Sequence, residues 1–288
     1  MSKSQKIIII SGPTASGKSA YAVKLAKQYN GAIINADALQ IYAGLPVLSA
    51  QPSLEEQQGV LHYLYGRLSH TQQCSVATWL QLAKESITDC FLQNLTPIVV
   101  GGTGMYLSAL IDGLNFIPEI EKKFVLQAEN LYQEMGQQKF INKFGNNKII
   151  DKQKLIRYAS VYLQTNKTMD FWHQQEKIKI FPQAIFEHYT IKLPRQKLYE
   201  NCNLRFLQML KKGATTEVEK LQKQINNNAY TITKTIGYAE ILQYLAGKLD
   251  LQSAINFASQ KTRNYAKRQT TWINNRFLLA TEVINDDF

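Results

Sequence analysis

Cysteine, histidine, long apolar runs and, in its second half, acidic side chains are what this 288-residue sequence has little of. The three cysteines, Cys74, Cys90 and Cys202, are odd in number and show no C-x-x-C spacing. That excludes a disulfide framework and a zinc pattern, and it suits a reducing compartment. The four histidines, His62, His70, His173 and His188, are scattered without ligand spacing, so ordinary structural or surface work is expected of them. The longest apolar run near the N-terminus is Ile7 to Ile10, against the roughly 20 residues of a membrane span, and Lys3 and Lys6 precede no signal-peptide core. A cytoplasmic protein with no membrane partner is the expectation. Hydrophobic residues at 45% and charged residues at 19% then exclude a disordered or collagen-like chain.

The shortage of acids is uneven. Residues 1 to 138 hold 9 Lys/Arg and 10 Asp/Glu, whereas residues 139 to 288 hold 24 and 12, so the second half supplies the whole net charge of +11. A field of that sign steers polyanions toward it, and nucleic acid is the commonest such partner. Basic halves also occur in proteins that bind nothing charged, so composition leaves the partner open.

Along the chain, Lys6 to Ser11 reads as a short buried strand, followed by a Gly-rich turn and a helix in which Ala22, Leu25, Ala26 and Tyr29 recur at helical spacing. Gly31 to Asn35 and Pro97 to Val100 are apolar without alternation, as strands covered on both faces are. Between them Val76 to Leu95 is helix-like. This alternation predicts an α/β parallel sheet flanked by helices. From Glu119 onward strand signals nearly vanish: helices are expected over 121–140, 152–164, 201–224, 238–245 and 251–277. Only Ala184 to Leu193 alternates well enough to return to the sheet as a strand, and Asn226 to Asn228 reads as a turn. The expected division is 1–112 as the first part of the core, 113–182 as a mostly helical insertion, and 183–288 as a return strand with C-terminal helices.

The most specific motif is Gly12-Pro13-Thr14-Ala15-Ser16-Gly17-Lys18-Ser19, a complete G-x-x-x-x-G-K-[ST] between a strand and a helix. Such a loop turns backbone N–H groups around a phosphate at a helix N-terminus, Lys18 neutralises its charge, and the Ser19 hydroxyl reaches Mg²⁺. Kinases, NTPases and other transferases share the motif, so the phosphate compound stays open. Asn35-Ala36-Asp37-Ala38-Leu39-Gln40 follows the second strand, where the ends of parallel strands line a ligand crevice. Asp37 there is a metal ligand, a general base or simply a cap. Gly101-Gly102-Thr103-Gly104 repeats the placement after the third strand, its glycines permitting close backbone approach. The segment from Lys261 to Arg276 carries Arg263, Lys267, Arg268 and Arg276 among Tyr265 and Trp272, with no acid. It is either a solvated face or a surface that holds phosphates and stacks bases.

Taken in order, GPTASGKS, NADALQIY, PIVVGGTGMYL, TIGYAEILQYLAG and TRNYAKRQTTW resemble the bacterial tRNA dimethylallyltransferase family over roughly residues 7 to 277. The resemblance implies a P-loop NTPase-like fold. It also implies transfer of the dimethylallyl group from dimethylallyl diphosphate to N6 of the adenine 3′ of the tRNA anticodon, with Mg²⁺ assisting the diphosphate. By the same resemblance Asp37 is the general base, Gln40 helps hold the flipped adenine together with neighbouring Ala38 and Leu39, and Thr103 lies beside the transferred group. Residues Gly12 to Ser19 bind diphosphate, with Lys18 catalytic and Ser19 the metal contact. Gln153, Lys154, Leu155, Ile156 and Arg157 stand in the segment that grips the anticodon stem-loop, joined by Arg263, Lys267 and Arg268, while Arg205 matches the arginine of an R-F-x-x-M-L helix. A monomer is expected.

Ala38 stands where the family has serine, Lys154 where it has arginine, and residues 113 to 150 lack the D-P-x-x-A stretch. Two other functions remain as alternatives, a small-molecule P-loop kinase and a non-catalytic RNA-binding protein on the same fold. The kinase lacks an arginine-rich lid in the N-terminal half, where only Arg67 appears.

Overall fold

The computed structural model describes residues 5–144, 149–225 and 230–284. In chain order its elements are β1 (Lys6–Ser11), α1 (Lys18–Gln28), β2 (Gly31–Asn35), α2 (Leu54–Gln57), β3 (His62–Tyr63), α3 (Val76–Leu92), β4 (Thr96–Gly101), α4 (Gly104–Asp112) and β5 (Leu114–Asn115). There follow α5 (Lys122–Phe144), α6 (Lys152–Thr165), α7 (Met169–His173), β6 (Lys177–Ile178), β7 (Ile185–Lys192), α8 (Arg195–Lys211), α9 (Ala214–Gln224), α10 (Tyr238–Leu245), α11 (Leu251–Arg276) and β8 (Thr281–Ile284). Two compact units result, one from residues 1–111 with 181–288 and the other from residues 112–180.

The first unit is built on a six-stranded parallel sheet in the order β3-β2-β4-β1-β7-β8. Ile7, Ile8, Ile9 and Ile10 have no exposed surface at all, because β1 lies between β4 and β7 with both of its faces covered. Ile8, Ile10, Ile33, Ile98, Val100 and Ile191 form one face of the core against Ala22, Leu25 and Ala26 of α1. Burying each such aliphatic side chain contributes about 1.5–3 kcal/mol. Central placement of β1 has a functional consequence: its C-terminal end, the glycine loop, lies between the ends of β4 and β7.

The second unit packs α5 on α6 around Ala128, Phe140, Ile141, Leu155, Ile156 and Ala159. Asp151 caps α6 by accepting from Lys154 N. Leu155 and Ile156 therefore correct the expectation that this whole stretch faces tRNA: they are buried, and the 3.6-residue period leaves Gln153, Lys154 and Arg157 exposed instead.

Several boundaries also differ from the sequence reading. The helix expected over 201–224 is two helices, starting earlier at Arg195 and broken at Gly213, whose φ of 98° is left-handed and opens α9. Gly136 (φ 72°) interrupts α5 in the same way. β7 is not alone after residue 119: β6 before it pairs with β5 and β8 after it adds to the sheet edge, both too short and too exposed to show a pattern. The expected turn at 226–228 lies outside the described residues. Among the described residues no helix is long and apolar enough to cross a membrane.

Candidate active site

The C-terminal ends of β1, β2 and β4 bring three loops together in the first unit. After β1, Ala15 (φ 62°) and Gly17 (φ 85°) take left-handed backbone, the shape that curls the loop before α1. Lys18 Nζ donates to Pro13 O at 3.2 Å, across that loop, and α1 has no side-chain cap on its first-turn N–H groups. The loop is fastened from behind: Asn201 of α8 donates to Ala15 O, and Thr14 N donates to Gln269 Oε1 of α11 at 2.8 Å.

Asp37 follows β2. Buried Asn35 accepts from Asp37 N at 2.9 Å and donates back to Asp37 O. The Asp37 carboxylate accepts Leu39 N at 2.9 Å and Gln40 N at 3.3 Å, both on Oδ1. Capping and a chemical role are thus compatible in one side chain, since no described residue donates to Oδ2. Thr103 joins this loop to the one after β4: its Oγ1 accepts from Ala38 N at 3.0 Å and its own N–H donates to Ala36 O. A Cβ on Gly101 would stand 2.1 Å from Ala36 O, so only glycine lets these two strand ends approach.

A cavity of about 70 Å³ opens here, lined by Thr14, Lys18, Asp37, Leu39, Gln40 and Arg205 together with Leu48, Ser49, Thr235, Ile236 and Tyr265. Two cations and one carboxylate meet in it. Burial lowers the Lys18 pKa to about 8, the neighbouring Arg205 charge adds to the fall, and Asp37 partly offsets it. Arg205 is lowered too, by burial first, with Asp37 opposing. Tyr265 is raised by burial and then by the Asp37 charge, against hydrogen bonds with Thr103 and Gln269. Crowding two cations in a desolvated cleft costs free energy that a polyanion such as diphosphate recovers on binding.

Of the phosphate-loop residues, Thr14 and Lys18 face this cavity; Ser19 is exposed on the first turn of α1. Ala38 acts through its N–H to Thr103. Gln40 donates from Nε2 to Ser49 O and Ala50 O, so its amide holds the loop that forms one cavity wall. Lys267 and Arg268 line a separate surface groove of about 680 Å³ along α11. Arg263 is turned to other work: its guanidinium donates to Asn203 of α8 and to Gln260.

The sequence singled out Arg205 only as a match to the R-F-x-x-M-L helix, and it did not single out Glu217 or Gln269. Glu217 on α9 accepts Val47 N at 2.8 Å and Leu48 N at 3.0 Å, anchoring the same wall that Gln40 holds. Gln269 also donates from Nε2 to Gly102 O at 3.0 Å. A Cβ on Gly104 would meet the Trp272 ring at 2.1 Å, which shows how closely α11 packs on the loop after β4. No local pattern in the sequence announced these contacts.

The IPP transferase family matches residues 40–276 of this chain. The tRNA dimethylallyltransferase of Pelagibacter ubique is 42% identical over 284 residues, covering 96% of this chain and 90% of its own length. That of Rickettsia massiliae is 39% identical over 283 residues, covering 96% and 78%. Among solved structures, the tRNA isopentenylpyrophosphate transferase of Bacillus halodurans superposes with a TM-score of 0.72 at 29% identity, covering 99% of this chain and 92% of that one. A eukaryotic dimethylallyltransferase acting on tRNA reaches 0.80 at 24% identity, covering 98% and 74%, and shows the fold alone. Neither the kinase nor the non-catalytic alternative is favoured by these likenesses.

Proposed function

This chain belongs to the IPP transferase family, and we propose that it transfers the dimethylallyl group from dimethylallyl diphosphate to N6 of the adenine 3′ of the anticodon in tRNA. The observation that carries this reading is that one cavity is lined by Lys18 and Arg205 together with Asp37. The two cations suit the diphosphate; the carboxylate suits an exocyclic amine.

In this reading the glycine loop, Lys18 and Arg205 hold the diphosphate. Their charges stabilise the negative charge that grows as the allylic C–O bond breaks and diphosphate departs. The bond from N6 to the allylic carbon forms, and Asp37 Oδ2 takes the N6 proton, its Oδ1 being held by Leu39 and Gln40 N–H. Thr103, held between Ala36 and Ala38, flanks the transferred group. The adenine must leave its stack to reach the carboxylate, the usual solution when chemistry is done on a base edge. Gln40, Glu217 and the wall at Leu48 and Ser49 shape the place it enters.

Mg²⁺ is implied for this reaction. Among the described residues no group of three or more His, Cys, Asp or Glu could hold a metal. The Ser19 hydroxyl, on the first turn after the phosphate loop, would hold it, a sparse set that fits an ion keeping its waters and taking ligands from phosphate oxygens. When bound, it supplies charge neutralisation of the diphosphate.

Exposed Gln153, Lys154 and Arg157 on α6, and Lys267 and Arg268 on α11, are the proposed contacts to the anticodon stem-loop. A monomer acting in the cytoplasm is the proposed working form. Mass analysis of tRNA nucleosides after incubation with the protein, dimethylallyl diphosphate and Mg²⁺ tests the proposal. A dimethylallyl adduct on adenosine is expected; unmodified nucleosides would overturn it.

A further inference from the structure

We propose that the second unit carries a stacking surface for unpaired nucleotides, formed by Phe116, Phe171 and Trp172 with Lys167 beside them. The inference rests on the tRNA reading above and assigns a base-contacting role to residues outside every motif in the sequence.

The rings are gathered from two places. Phe116 follows β5, and Phe171 and Trp172 belong to α7. Trp172 meets Phe116 at 6.5 Å with the ring planes 65° apart, and meets Phe171 at 5.4 Å and 85°. These are edge contacts, in which one ring of each pair turns its edge to a face of the other and so keeps its own faces out of that contact. Phe116 is 61% exposed and Phe171 38%, so with Trp172 between them they form a contiguous aromatic patch that reaches solvent. The platform beneath them is fixed. Asn115 Nδ2 donates to His173 O and Gln175 O, tying the end of β5 to the end of α7, and β5 pairs with β6.

Charge selects the partner. Lys167 Nζ lies 4.9 Å from the centre of the Phe171 ring, and Lys177 and Lys179 are exposed on and beside β6, with Asp170 and Glu176 as the local acids. The second unit as a whole, residues 112–180, holds eleven Lys/Arg and eight Asp/Glu, so its basic excess is carried by the part after residue 138. The core of a protein-docking face is depleted of charge, whereas here an ammonium sits on the ring itself. Aromatic faces interleaved with lysines match a single strand, whose bases stack while its phosphates take the cations. A duplex offers no free base faces, so the proposed ligand is a loop.

The test is RNA binding by the full chain, using an anticodon stem-loop and a blunt duplex of the same stem. Phe116→Ala combined with Phe171→Ala should weaken stem-loop binding by roughly 10-fold or more, in keeping with loss of base stacking. Duplex binding and the melting temperature should hold, and Phe116→Trp with Phe171→Trp should retain stem-loop affinity. Unchanged stem-loop affinity in the double alanine variant overturns the surface, as does an equal loss on both RNAs. A concentration-dependent dimer abolished by the alanines, with RNA affinity intact, would make the patch a protein contact and overturn it too. If the wild type transfers the dimethylallyl group and the alanines change nothing, only the surface falls. If it binds neither RNA, the surface and the tRNA reading fall together.

Discussion

Gln269 and Thr14 are 255 positions apart in the chain, yet the amide oxygen of one accepts the backbone N–H of the other at 2.8 Å. The same side chain donates to Gly102 O at 3.0 Å, so one glutamine of α11 locks the phosphate loop to the loop after β4. The basic C-terminal helix is thus part of the active-site frame as well as a candidate RNA surface.

Replacing Gln269 with Leu keeps bulk and removes both hydrogen bonds. Leaving buried backbone groups without partners costs about 1–3 kcal/mol each. A lowered melting temperature and weaker diphosphate binding are expected together, by thermal unfolding and calorimetry. Wild-type values for both would remove Gln269 from the frame.

Lys18→Met should abolish transfer and weaken diphosphate binding, since it removes the phosphate loop's own positive charge. The wild type adds a pH signature. With its pKa lowered to about 8, Lys18 loses its proton as pH rises through that value, so diphosphate affinity should fall above pH 8 and level off below it. Calorimetric titrations across that interval decide the point; a flat profile in the wild type would contradict it.

Asp37→Asn preserves the acceptor for Leu39 and Gln40 N–H and cannot take the N6 proton. Transfer should drop by about 10²- to 10⁴-fold, the usual range for loss of a general base, with both substrates still binding. Single-turnover rates and equilibrium binding separate the two effects. Full turnover would return Asp37 to a purely capping role.

His188 lies against Phe277, with Nε2 2.9 Å from Ser11 Oγ, which contacts Thr190 Oγ1 in turn. Burial lowers its pKa from 6.5 to about 4. The unfolded chain therefore binds the proton more readily than the folded one. The stability this linkage contributes is complete above about pH 6.5 and is lost as pH falls toward 4. Denaturant unfolding between those values should show a shallower decline for His188→Gln than for the wild type, and parallel declines would refute the linkage.

Arg157 and Arg263 should behave differently. Arg157→Ala is expected to flatten the dependence of log tRNA affinity on log salt by about one unit, as loss of one phosphate contact does. Arg263, bonded to Asn203 and Gln260, should leave the slope unchanged and lower the melting temperature when replaced by Ala. Titrations at several salt concentrations, set beside thermal unfolding, read both outcomes.

Local pattern alone determined a good deal. The run Ile7 to Ile10 announced a central strand because four consecutive isoleucines can be buried only where both faces are covered, and that is where β1 lies. The G-x-x-x-x-G-K-[ST] spacing placed the phosphate loop because the backbone turn it encodes needs no distant partner, and the position of Asp37 at a strand end followed from the alternation of strands and helices. Tertiary structure decided the rest. No periodicity says that Glu217 would reach Val47 and Leu48, that Arg205 would share a cavity with Lys18, or that Phe116 would meet Trp172. Leu155 and Ile156 lie on the apolar face that helical spacing gives α6, but only the packing of α5 against it supplied the core they enter. Sequence neighbours constrain which way a helix or strand faces, but contacts between residues 56 to 255 positions apart depend on how the elements pack, and packing is a property of the whole chain.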